Sequence, residues 1–132
     1  MPRPHFALII GIDEYECPKI PNLSGCVTDA KSFKECLSRT FGKAPDSDIM
    51  FLTNANATRA AILSAFRTHL ICNEHIQRGQ PIIIYFAGHG SRVAAPIEWA
   101  ASSQSAYAER FVPATTRSRP RATSSTEYPI LL

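Results

Sequence analysis

The run Pro81-Ile82-Ile83-Ile84-Tyr85-Phe86-Ala87-Gly88-His89-Gly90-Ser91 constrains the fold more than any other stretch of the chain. Apolar residues follow one another without alternation, the pattern of a parallel strand covered on both faces. The strand then stops on a histidine held between two glycines. Open α/β sheets place their chemistry beyond the carboxyl ends of their strands. His89 therefore sits where a titratable side chain on a rigid support is useful. The flanking glycines let the backbone bend and let another molecule approach closely. A glycine turn carrying an exposed histidine is the plainer reading of these three residues, and the rest of the chain weighs between the two.

Upstream, Phe6–Ile12 is a second continuous apolar run, stopped by Asp13-Glu14 and by Pro18 and Pro21. Tyr15–Gly25 reads as a loop. Val27, Ala30, Phe33 and Leu37 recur at helical spacing, so a helix is expected to start near Val27 or Thr28 and to end at Gly42 and Pro45. Ile49–Thr53 is the next strand. Thr58 is an expected N-cap for a helix from Arg59 to Glu74, with Ile62, Ala65, Phe66, His69 and Leu70 on its apolar face. Strand, helix, strand, helix, strand in this order argues for βαβ units, a parallel sheet and right-handed crossovers. His69 is expected to pack half-buried, and His5 and His75 to lie in solvent. Asp13 is read as a polar residue at a strand end.

After Arg92 the character changes. Val93–Ala108 is small and polar apart from Ile97, Trp99 and Tyr107, and Ala114–Glu127 is mostly Thr, Ser, Arg, Pro and Ala. Such a segment buries too little apolar surface to offset its ordering entropy, so Ala114–Glu127 is expected to be disordered. Ile130-Leu131-Leu132 is too short to count as a strand.

One domain is what 132 residues allow, and a net charge of +3 without a lysine- or arginine-rich block argues against nucleic acid as partner. No apolar run approaches membrane-spanning length, and the opening residues do not read as a secretory signal, so the expectation is a cytoplasmic protein without a membrane partner. Cys17, Cys26, Cys36 and Cys72 form no C-x-x-C pair and no metal-ligand spacing; in a reducing compartment free thiols are favoured for Cys36 and Cys72, and neither metal nor cofactor is expected.

Three segments together resemble the caspase-like cysteine peptidases, metacaspase branch. Phe6–Tyr15 is similar to the opening strand of that family, Leu23-Ser24-Gly25-Cys26-Val27-Thr28-Asp29-Ala30 to the start of its first helix, and Tyr85–Ser91 to its histidine loop. They come in the family's order and approximate spacing. The fold the resemblance implies is a three-layer α/β sandwich with a mostly parallel sheet, here truncated after the third strand. Residues 5–92 are then a partial catalytic domain, and residues 93–132 an irregular to disordered tail. By the same resemblance His89 is a general base toward a cysteine thiol, and Gly90 offers its backbone N–H to the oxyanion. Cys26 and Asp29 line an acidic pocket for an arginine or lysine of a polypeptide substrate. Asp29 equally suits the first turn of a helix, where a carboxylate complements the dipole, and Cys26 equally suits a small buried site.

The chain departs from the family where the nucleophile belongs. In the family a fourth strand ends in a motif like Asp-Ser-Cys-His-Ser-Gly; here no cysteine follows Cys72. Cys17 lies on the first loop but has no activating context. Two functional expectations follow. One is a cysteine endopeptidase by type, inactive as this chain stands. The other is a non-catalytic fragment that binds a full-length relative, or itself, through an exposed sheet edge.

Overall fold

A computed structural model describes residues 4–95, 97 and 107–115. Three parallel strands form the main sheet: β1 (Phe6–Gly11), β2 (Ile49–Thr53) and β3 (Ile82–Ala87), in the order β2-β1-β3. β1 pairs Ala7–Gly11 with Ile49–Thr53 and Phe6–Gly11 with Ile82–Ala87. Every residue of β1 is buried, whereas β2 and β3 are only partly covered. The central strand and a flanking one are both apolar runs in sequence; which is which depends on pairing.

Side chains alternate across β1. Ala7 and Ile9 face helix α1 (Cys26–Phe41), where Ala30 and Leu37 complete a buried cluster flanked by Phe33, Phe41, Ile49, Phe51, Ile83 and Tyr85. Phe33 stacks on Tyr85 with centroids 4.2 Å apart. Phe6, Leu8 and Ile10 face the opposite way, onto Ile62 of helix α2 (Arg59–Ser64) and onto Ala65 and Leu70 of the π-helical segment Ala65–Ile71 that continues it. Helix, sheet, helix: the three-layer α/β architecture expected from the sequence is present.

α1 starts within two residues of its expected position, and Thr58 caps α2, its hydroxyl accepting the N–H of Ala61 at 3.0 Å. The second helix differs from expectation. It is α-helical only to Ser64 and then widens into π turns that close with the Cys72 N–H on the Arg67 carbonyl. His69, expected half-buried, is 8% exposed, and its Nε2 lies 3.1 Å from the Ala7 carbonyl and 3.0 Å from the Asp48 carbonyl. Both partners can only accept, so Nε2 carries the proton. His5 is a correction: it is 1% exposed, not solvated, because the end of α1 lays Phe41 against its ring at 5.2 Å. His75 is exposed.

Order also continues past Arg92, against expectation. β4 (Gly90–Ala94) pairs antiparallel with β5 (Tyr107–Phe111), from Gly90 opposite Phe111 to Ala94 opposite Tyr107. Phe111 stacks on Phe86 of β3 at 4.0 Å, anchoring the hairpin to the sheet. Beyond it Val112 and Ala114 are buried. Ala114, expected to be disordered, donates its N–H to the Ala57 carbonyl and accepts from Glu16. A small residue with both backbone groups paired needs no large side chain to be held. Thr115, from the same stretch, is likewise placed, its hydroxyl accepting the Arg59 N–H at 3.4 Å; residues 116–127 and Ile130–Leu132 lie outside the described residues. Among the described residues no helix is long and apolar enough to cross a membrane.

Candidate functional site

The candidate site residues lie where the carboxyl ends of β1 and β3 meet the amino end of α1. The first device there is Gly11. A Cβ at this position would come within 2.8 Å of the Ala30 Cβ and 2.8 Å of the Cys26 carbonyl oxygen, so only glycine lets the first turn of α1 sit this close on the strand. Gly25, the N-cap residue, has no side chain with which to cap that turn. Asp13 does so from the end of β1. Its carboxylate accepts the Cys26 N–H at 2.8 Å and the Val27 N–H at 3.2 Å. Asp13 is itself pinned, together with Glu14, by backbone N–H bonds to the side-chain oxygen of Asn54, 2.9 and 3.2 Å. Asn54 has a φ of 44°, a left-handed conformation that asparagine tolerates better than most residues.

Asp13 was read in sequence as merely polar, and this capping role was missed. A carboxylate reaching a helix start 13 residues away leaves no local signature, and the capping rules inspect only neighbours.

The second device is the histidine loop. The His89 N–H donates to Tyr15 Oη at 2.8 Å, and the two rings lie 5.1 Å apart. His89 Nε2 lies 2.8 Å from the Pro21 carbonyl oxygen. A carbonyl only accepts, so Nε2 carries the proton there and Nδ1 keeps a lone pair with which to take one. Gly88 is crowded: a Cβ would meet Tyr15 Oη at 2.8 Å and the Phe86 ring at 3.0 Å. Gly90 is exposed, and a Cβ there would meet only the Arg110 carbonyl, at 3.8 Å. Packing within the fold thus demands glycine before the histidine and leaves space at the one after it.

Charge is distributed unevenly over this edge. Burial pushes the Asp13 carboxyl up, but bonds from the backbone of Cys26, Val27 and Gly25 and from the Cys26 thiol outweigh it, leaving the group below the usual carboxylate value. The Cys26 thiol moves the other way, raised by burial, by the charge and hydrogen bond of Asp13, and by the charge of Asp29. Burial also raises Tyr15 and Tyr85, with the His89 N–H opposing the rise at Tyr15; Cys26 and Asp13 add to it at Tyr15, Asp29 and Cys26 at Tyr85. Cys26, Asp29, Tyr15 and Tyr85 therefore share one acidic neighbourhood. In it burial and the nearby carboxylates hold the Cys26 thiol above its ordinary value. Cys17 is buried, 7% exposed.

Comparison with known proteins places this architecture. The family model described as Caspase domain matches residues 4–125. No match to the chain is found among curated proteins. Among solved structures, the crystal structure of a protein from Geobacter sulfurreducens is similar in fold, with a TM-score of 0.61 and 18% sequence identity over 85% of this chain. The match covers 40% of that protein's own length.

Proposed function

This chain belongs to the caspase domain family, and from that premise we propose that it carries the histidine and pocket side of a cysteine-peptidase site of the metacaspase branch. The observation that carries the reading is His89 on the loop just past the end of β3, with its Nε2–H hydrogen-bonded to the Pro21 carbonyl. An imidazole so held turns its other nitrogen into a base for a thiol. The Gly90 N–H is the donor for the oxyanion, in a place where the backbone is bare and exposed. Cys26 and Asp29 line the pocket for the residue before the scissile bond. Asp13 spends its charge on two helix N–H groups, so Asp29 is the carboxylate left to pair with an arginine or lysine side chain.

In this reading the chain lacks its nucleophile: none of its cysteines follows the histidine loop, and burial together with the charges of Asp13 and Asp29 raises the Cys26 thiol, which disfavours its thiolate. The purified chain should leave an arginyl reporter peptide intact. Supplying a strand that ends in Asp-Ser-Cys after the loop should produce cleavage after basic residues that disappears with His89→Ala. Thiol-dependent turnover by the chain alone, lost in His89→Ala, would overturn the inactive reading. A second reading is supported by the position of β3 at one end of the sheet order. There the chain acts without catalysis, binding a full-length relative or a second copy of itself along that edge.

A further inference from the structure

Tyr15 enters the site twice, at opposite ends of its own residue. Its side-chain hydroxyl accepts the His89 N–H at 2.8 Å. Its backbone N–H donates to the Asn22 side-chain oxygen at 3.0 Å. Asn22 is the neighbour of Pro21, whose carbonyl receives the His89 imidazole. Tyr15, Asn22, Pro21 and His89 thus close a ring of contacts in which one residue holds both the main chain of the histidine and the segment that receives its side chain. The phenol is 8% exposed and lies against the imidazole, so it is fixed by packing as well as by its bonds. Gly88 completes the arrangement, because any side chain there would strike the same hydroxyl.

We propose that Tyr15 is a positioning residue for His89: its hydroxyl sets the backbone of the histidine loop, and its backbone N–H, through Asn22, sets the Pro21 carbonyl that orients the imidazole. A histidine side chain has two rotatable bonds. Once its Cα is fixed by the Tyr15 hydroxyl, one contact on Nε2 decides where Nδ1 points. Removing the hydroxyl frees the Cα while leaving the ring in the core. The consequence is a histidine that is present but aimed poorly, and aim matters to proton transfer because the donor and base must come within hydrogen-bond reach.

The proposal rests on the reading of His89 as the base, and its test does not use turnover. In the intact chain labelled with ¹⁵N, the Nε2–H of His89 should give a slowly exchanging resonance, and the His89 amide should be protected. Tyr15→Phe should speed exchange of that amide at least tenfold and abolish the Nε2–H resonance, with the far-UV spectrum and the Leu8 and Ile9 amides unchanged. Asn22→Ala should abolish the Nε2–H resonance while leaving the His89 amide protected. If Tyr15→Phe unfolds the chain, Asn22→Ala and Gly88→Ala supply the reading, the latter by displacing the hydroxyl and exposing the amide. A protected amide and a persistent Nε2–H resonance in these variants would overturn the positioning role. Failure of a nucleophile-supplied chain to cleave peptide, with these signals behaving as expected, would overturn the base reading alone.

Discussion

Asp13 joins the stability of the helix start to the chemistry beside it. Among the described residues its carboxylate is the side chain that caps the first turn of α1, and, with burial, the same carboxylate raises the Cys26 thiol. Replacing a capping aspartate by alanine costs about 1 kcal/mol, and asparagine keeps one acceptor oxygen for the two N–H groups that Asp13 serves. Because the folded-state pKa lies below the unfolded one, the contribution is present above the ordinary carboxylate value and is lost as pH falls through the lowered one. Asp13→Asn should therefore lower stability near neutrality and flatten the acid limb of a stability-versus-pH curve measured by urea melts. Cys26 titrates in the opposite sense. At a pH about one unit below an ordinary thiol pKa, iodoacetamide should label exposed Cys36 and Cys72 well before Cys26. In Asp13→Asn, where one of the opposing charges is gone, Cys26 should label faster.

At the scale of elements, the π-helical continuation of α2 packs on the sheet through Ala65 and Leu70 and is hydrogen-bonded to it through His69. His69 gives its Nε2 proton to carbonyls of β1 and of the turn before β2, joining three segments that are far apart in sequence. His69→Leu keeps the apolar contact with the core and strands those carbonyls, at a cost of about 1–3 kcal/mol. Thermal melts should show that loss, and amide exchange should rise first in Ala65–Ile71. The sequence placed His69 on the packed face of a helix, which is correct, but helical periodicity says nothing of a polar atom's partner. Nor does it separate α from π winding, since seven residues at the end of a helix fit either spacing.

The molecule as a whole is a sheet with a fully covered middle and partly covered sides. Among the described residues β3 closes the sheet order, and Ile82 at its start is 49% exposed. An edge strand that is apolar and uncharged offers unpaired backbone groups to other chains. The expected behaviour is self-association, with light scattering showing oligomers at modest concentration. Ile82→Lys, which places a charge on that strand, should shift the distribution toward monomer. A monodisperse wild-type chain would argue against the edge as a docking surface. The β4–β5 hairpin and the Val112–Ala114 segment temper this by adding Phe111, Val112 and Ala114 to the covered surface.

Local pattern settled what depends on neighbours in the chain. Continuous apolar runs marked the three strands of the main sheet, 3.6-residue spacing marked α1, Thr58 marked the start of α2, and the glycine-flanked histidine marked the edge where candidate site residues gather. These features are legible because each is a constraint that a segment satisfies by itself. The tertiary structure alone decided the rest: β1 in the middle, His5 buried, Asp13 as a cap, Tyr15 and Pro21 as the partners of His89, and a hairpin made from strands with a gap of 12 residues between them. Each of these is a contact between segments remote in sequence. A hydrogen bond across 74 residues is chosen by the packing that brings its ends together, and nothing in either end's composition announces the other.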